Sequence, residues 1–263
     1  MTRARKRYGQ HFLEPVWVDK VIDALGTSAT DVFLEIGPGR GALTRPLAAR
    51  VERLVAVEID RDLAATLRGV MPPNVKIVQG DFLDVDLANL LDSEGGAVRV
   101  VGNLPYNVSS PILFKLLDAS GYGRALRDAT LMLQKEVADR LAARPGTRDY
   151  GALAIQVALV ADVERLLALP PGAFRPPPKV RSAVVRLTFH PPSVEVGDTA
   201  IFERLVRGLF LQRRKTVLNA LKPVADAMDR SSPKLLERAG IEPSRRPETL
   251  TLQDLARLSR AVL

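Results

Sequence analysis

The sequence predicts an α/β protein built on a doubly wound, largely parallel sheet, with a small all-α domain after it. Three observations carry this. Short β-branched and aliphatic runs recur at 31–36, 54–58, 75–78, 98–101 and 129–133. Segments with helical spacing separate the earlier runs, the alternation expected of a parallel sheet with crossover helices. After His190-Pro191-Pro192 the strand signal stops and helical periodicity alone remains. That proline pair sets the expected domains at 1–192 and 193–263.

Each element has a local justification. A helix opens near Pro15, which suits a first turn, and its apolar positions Val18, Val21, Ile22 and Leu25 lie on one face before Gly26 ends it. The run at 31–36 feeds Gly37-Pro38-Gly39-Arg40-Gly41, and 42–50 reads as a helix. The strand at 54–58 ends in Glu58, a helix covers 63–70, and the strand at 75–78 closes on Gly80-Asp81-Phe82. Val98 to Val101 form a buried strand that Gly102 is expected to end. A helix at 151–160 precedes strands at 163–169 and 183–189, close enough in sequence to be neighbours with one antiparallel. Between them, 170–179 is too proline-rich for either element. The segment 201–221 reads as one helix.

The chain has 263 residues and a net charge of +8, with no cysteine and two histidines, His11 and His190, far apart. Disulfides and thiolate metal sites are excluded, and no metal site is expected. The charged N-terminus has no apolar core of a secretory signal, and the longest apolar run, 151–161, is too short for a membrane span. A soluble, cytoplasmic protein is expected, with a monomer as the default. The positive charge clusters at Arg3, Arg5, Lys6 and Arg7, at Arg165, Arg175, Lys179, Arg181 and Arg186, and at Arg204, Arg207, Arg213, Arg214 and Lys215. Such clusters fit either a phosphate-rich partner or solvated faces.

Gly37-x-Gly39-x-Gly41 between strand and helix lets backbone approach a ligand at a helix N-terminus, though it is not the spacing of dinucleotide binders. Glu58 stands where an acid accepts hydrogen bonds from a ribose diol, and Asp81 where one meets an adenine amine. Three acids on successive strand ends, Glu35 included, favour S-adenosylmethionine over a nicotinamide cofactor. Asn103-Leu104-Pro105-Tyr106 follows the buried strand, at the edge where open α/β sheets bind ligands. It combines an amide that both donates and accepts, a proline of fixed φ, and an aromatic face on which a base can stack. The same residues also fit a strand-to-helix loop in which Asn103 caps and Tyr106 packs.

Taken together, the chain resembles the ribosomal RNA adenine dimethyltransferases that act on the small subunit. The matching segments are Gly9 to Leu13, Leu34 to Gly41, Val57 to Asp60, Gly80-Asp81, Asn103 to Tyr106, Phe174 to Val180, and Phe210 to Thr216 with Asn219. They follow the family's order along nearly the whole chain. His11 is a departure, since that position is often Asn in such enzymes. The resemblance implies a Rossmann-like, seven-stranded methyltransferase sheet with a small helical domain. It also implies methyl transfer from S-adenosylmethionine to the N6 amines of two adjacent adenosines near the 3′ end of small-subunit rRNA, within an immature 30S subunit. By analogy, His11, Leu13, Gly37, Glu58, Asp81 and Asn103 line the cofactor site. Asn103 and the Leu104 carbonyl would hold the amine, Pro105 would shape the loop, and Tyr106 and Phe174 would sandwich the base. Phe174 as a core residue is the alternative. Arg213, Arg214 and Lys215, read as consecutive helical positions, are the expected RNA contacts. Two other readings stand beside this one: an antibiotic-resistance type enzyme acting on large-subunit rRNA, and a nucleic-acid-binding assembly factor that keeps the fold without its chemistry.

Overall fold

The computed structural model describes residues 11–94, 97–120 and 126–263. The basic arm at Arg3, Arg5, Lys6 and Arg7, and Gly9-Gln10, lie outside the described residues. By contact the chain falls into two compact units. One takes the described residues up to Ala138 together with Ala161–Pro191, the other Asp139–Val160 together with Pro192–Leu263. Its second stretch begins at Pro192. The segment 139–160, however, packs with the C-terminal helices rather than with the sheet that precedes it.

In the first unit, β1 (Phe12–Leu13) leads into α1 (Pro15–Leu25), which Gly26 ends in the left-handed region at φ 58° and ψ 59°. Then follow β2 (Val32–Ile36), α2 (Thr44–Ala48), β3 (Arg53–Glu58), α3 (Arg61–Arg68), β4 (Val75–Gln79), α4 (Leu87–Glu94), β5 (Val98–Asn103), α5 (Ser109–Ser120) and β6 (Leu126–Gln134). After α6 (Lys135–Leu141) and α7 (Ala152–Val160) come β7 (Ala161–Leu169), β8 (Phe174–Arg175) and β9 (Ser182–Phe189). Helices α4, α5 and α6 are additions to the elements marked in the sequence. Helix α2 is shorter than the expected 42–50, because turns take up the residues before Thr44.

The seven strands form one sheet in the order β4-β3-β2-β5-β6-β9-β7. Strands β4 to β6 pair in parallel, and β9 runs antiparallel to both β6 and β7. The chain works outward from β2 through β3 to β4, then returns to β2's other side with β5. The carboxyl ends of β2 and β5 are therefore the switch point where such sheets form a crevice. Gly102 does not end β5 as expected. It pairs with Ile36, and a Cβ there would come within 3.0 Å of the Ile36 carbonyl oxygen, so glycine allows the strand to run on to Asn103. The proline-rich stretch holds a strand after all: β8 pairs antiparallel with β1, Phe12 opposite Arg175 and Leu13 opposite Phe174.

At the amino end of the central strand β5, Arg99 is 2% exposed. Its guanidinium donates to Asp31 at 2.7 Å, to Asp128 at 2.9 Å and to the carbonyls of Leu25 and Gly26 that end α1. Burial works to raise the Asp31 carboxyl, but the Ser28 N–H, Arg99 and Arg127 outweigh it and hold it below its ordinary range. Arg186, one of the second basic cluster, donates to the Ala24 and Leu25 carbonyls. A cation at a helix C-terminus meets the negative end of the dipole, so this arginine serves the fold.

In the second unit, α8 (Thr199–Leu211), α9 (Val217–Asp226), α10 (Ser232–Ala239) and α11 (Leu252–Val262) pack together, with α7 against α8 and α11. The expected helix at 201–221 is two helices. Gln212 leaves helical geometry at φ −122° and ψ 33°, and the Thr216 hydroxyl caps α9 by accepting from the Asn219 N–H. The two helices cross closely at Gly208, where a Cβ would stand 2.1 Å from a Val224 methyl.

Candidate active site

The crevice at the switch point is a cleft built entirely within the first unit. From β1 it takes Leu13, with His11 just before; from the β2 turn, Gly37; from β3, Glu58; and from the β5 end, Asn103, Leu104, Pro105 and Tyr106. Register places them together, since Ile36 pairs with both Val57 and Gly102. The turn after β2 holds Gly37, Gly39 and Gly41 at φ values of 68°, 58° and 80°. That left-handed backbone is open to glycine and strained for other residues.

Glu58 is buried, and its carboxylate fastens the turn: Oε2 accepts from the Gly39 N–H at 2.8 Å, and Oε1 from the Asp60 N–H at 2.8 Å. Burial raises its pKa, against the opposing effect of those hydrogen bonds. Glu35 also lines the cleft and is 2% exposed. Burial pushes its carboxyl up to about 7; the Thr44 hydroxyl opposes this and the Glu58 charge adds to it. Its Oε2 is buried with no hydrogen-bond partner. Glu35 opens the glycine motif in the sequence, but its depth behind the turn is visible only in the fold.

The loop after β5 is tied down on several sides. Asn103 donates from Nδ2 to the His11 carbonyl at 2.7 Å, which leaves Oδ1 as an acceptor. Leu104 donates its N–H to the Met132 carbonyl at 3.2 Å. The Tyr106 hydroxyl lies 2.7 Å from Ser182 Oγ, and burial raises the phenol's pKa. The His11 ring stacks on Tyr106, with centroids 5.6 Å apart and planes at 27°. His11 Nδ1 lies 2.7 Å from the Pro176 carbonyl, which can only accept. Nδ1 therefore donates in this bond.

Two expected site residues are placed elsewhere. Phe174 is 2% exposed and belongs to the core cluster with Leu13, Val18 and Ile22. Its pairing opposite Leu13 in the β1–β8 ribbon accompanies a side chain turned into the interior, so in this structure it is a core residue and not a face of the cleft. Asp81 stands beyond β4, outside the cleft's lining, with its carboxylate accepting from the Leu83 N–H at 2.9 Å. In the second unit, Arg213, Arg214 and Lys215 lie in the turn between α8 and α9 rather than on a helix. Arg213 is engaged there, with Glu248 at 3.2 Å and the Arg148 carbonyl at 2.8 Å, whereas Arg214 and Lys215 are exposed. Among the described residues, no group of three His, Asp or Glu side chains could hold a metal ion, and no helix is long and apolar enough to cross a membrane.

The chain is 48% identical to a ribosomal RNA small subunit methyltransferase A of Geobacter metallireducens, over 99% of this chain and 96% of that protein. Among solved structures, it is similar to a dimethyladenosine transferase from Plasmodium falciparum, with a TM-score of 0.78, 25% identity, and coverage of 94% of this chain and 96% of that one. It is also similar to the 23S rRNA methyltransferase ErmE, with a TM-score of 0.64 and 25% identity over 95% of this chain and 99% of that one. The family model described as ribosomal RNA adenine dimethylase matches residues 1–257. With a seven-stranded methyltransferase sheet, an asparagine-led loop at its switch point and these relatives, the chain belongs to the ribosomal RNA adenine dimethylase family.

Proposed function

We propose that this protein transfers methyl groups from S-adenosylmethionine to the N6 amines of two adjacent adenosines near the 3′ end of small-subunit rRNA. The products are N6,N6-dimethyladenosines, made in the cytoplasm by a monomer acting on an immature 30S subunit. The observation that carries this is the convergence of Asn103–Tyr106 and the acid-lined glycine turn on one cleft. The fit to the donor rests on Glu35 and Glu58. Glu35, a buried carboxylate with an unpartnered oxygen, suits a ligand bearing sulfonium and ammonium charges, and Glu58, at the end of β3, suits its ribose diol. When bound, the donor supplies an electrophilic methyl group. His11, Leu13, Gly37, Glu58 and Asn103 would hold it in the cleft, and Asp81, beyond the cleft's lining at the end of β4, would meet its adenine end.

The chain's own task is orientation. An exocyclic adenine amine is a poor nucleophile, because its lone pair is delocalised into the ring. Asn103 Oδ1 and the Leu104 carbonyl accepting from the NH₂ favour a tetrahedral nitrogen with its lone pair free to attack. Positioning of this kind supplies up to about 7–11 kcal/mol of a barrier. Pro105 keeps the loop in one shape. Tyr106 offers the stacking face, worth about 1–3 kcal/mol, and it works without Phe174. A base that stacks on the side now covered by His11 displaces that ring. The target must leave its helical stack to reach the loop. Arg214 and Lys215, with Arg213 behind them, are the phosphate contacts.

The test is transfer of labelled methyl groups to unmethylated small subunits, with the RNA digested to nucleosides. Dimethyladenosine at two neighbouring positions is expected, and Asn103→Ala should remove it. The likeness to ErmE favours a second reading in which the same chemistry acts on large-subunit RNA. Transfer to that RNA and not to small subunits would establish it.

A further inference from the structure

We infer that Lys115 is a positioning residue for the donor end of the site, acting through the loop that carries Asp81 and Phe82. The inference rests on the proposed reading of that loop as donor-contacting. Helix α5 buries Ile112, Leu113, Leu116 and Leu117, and its packing needs no cation at 115. Yet the Lys115 ammonium donates to two main-chain carbonyls, Leu83 and Val85, each at 2.6 Å. It also stands 5.6 Å from the centroid of the buried Phe82 ring. Burial lowers its pKa, while Asp84, Asp81 and Asp86 work to raise it.

These bonds form a chain. Lys115 holds the Leu83 carbonyl; the Leu83 N–H in turn holds the Asp81 carboxylate at 2.9 Å. The Asp84 N–H closes the turn on the Asp81 carbonyl at 3.0 Å. An ammonium satisfied by neutral carbonyls is not an ordinary surface ion pair; its geometry fixes the course of 81–85. Helix α5 starts three residues after Tyr106, so one element fastens the donor-side loop and continues from the acceptor-side loop.

Calorimetric binding of S-adenosylhomocysteine to the full chain tests this. Lys115→Met should weaken binding about ten-fold, the scale of coupling between groups in one hydrogen-bond network. Lys115→Arg should restore most of it, and the KM for RNA should stay unchanged in both variants. In an Asp81→Ala background the Lys115→Met loss should largely vanish, since both act through one loop. Wild-type affinity in Lys115→Met, or an undiminished loss in the Asp81→Ala background, would overturn the inference. Should Lys115→Met not fold, hydrogen exchange on the wild-type chain decides. Binding should protect the amides of Leu83 and Val85, and unchanged exchange there would overturn it. No binding by the wild-type chain would remove the donor reading itself, and the inference with it.

Discussion

Ionising Glu35 places a charge behind the glycine turn, where no hydrogen bond meets its Oε2. Its ordinary pKa of 4.5 rises to about 7 in the folded chain. A carboxyl raised on folding contributes stability that is complete below the ordinary value and lost as pH climbs through the raised one. Glu35→Gln removes that titration. The variant's stability relative to wild type should therefore grow between about pH 5 and pH 8, by up to about 3 kcal/mol. Thermal unfolding across that range checks it, and parallel curves would contradict it. The same substitution should weaken S-adenosylhomocysteine binding. The places of Glu58, Asn103 and Tyr106 at the cleft were readable from the sequence, because the first two end strands and Tyr106 lies three residues past β5. Phe174 was not, because the direction of its side chain depends on β1, more than 150 residues earlier in the chain.

At the scale of elements, the crossing of α8 and α9 depends on the missing side chain at Gly208. Gly208→Ala puts a methyl into Val224 and should destabilise the protein by about 1–3 kcal/mol, as overpacking does. Combining it with Val224→Ala should recover much of the loss in thermal unfolding, whereas a loss due to helix propensity would not be recovered. Helix propensity in fact favours alanine over glycine, so a stabilised single variant would refute the packing account. The helical period at 201–221 was legible, but the break was not. Leu211 and Val217 continue the apolar pattern, and the interruption rests on the Gln212 backbone and the Thr216 cap. Arg213, Arg214 and Lys215 occupy a turn and do not fan around a helix.

For the whole molecule, three predictions separate stability from partner binding. Arg99→Met leaves Asp128 buried without its guanidinium and removes the donors to the end of α1. It should cost about 3–5 kcal/mol, the range for breaking a buried ion pair from one side. Denaturant unfolding measures it, and a loss under 1 kcal/mol would show the network to be dispensable. Replacing Arg214 or Lys215 by alanine should instead leave stability unchanged and lower the salt slope of rRNA binding by about 1 each. Arg213→Ala should lower stability as well, through Glu248 and the Arg148 carbonyl.

What the sequence by itself determined is local in origin. Strand runs, helix caps, the glycine turn and the acids at strand ends follow from residue type and spacing within about ten positions. The seven strands and the identity of the cleft's main side chains were therefore legible, and the family motifs reinforced them. Only the tertiary structure decided the strand order that makes β2 and β5 neighbours. It also decided the union of 139–160 with the C-terminal helices, the burial of Phe174, and the use of Arg99 and Arg186 to close α1. Each of these rests on partners far apart in the chain, and their pairing is chosen by how the whole core packs, which no local window contains.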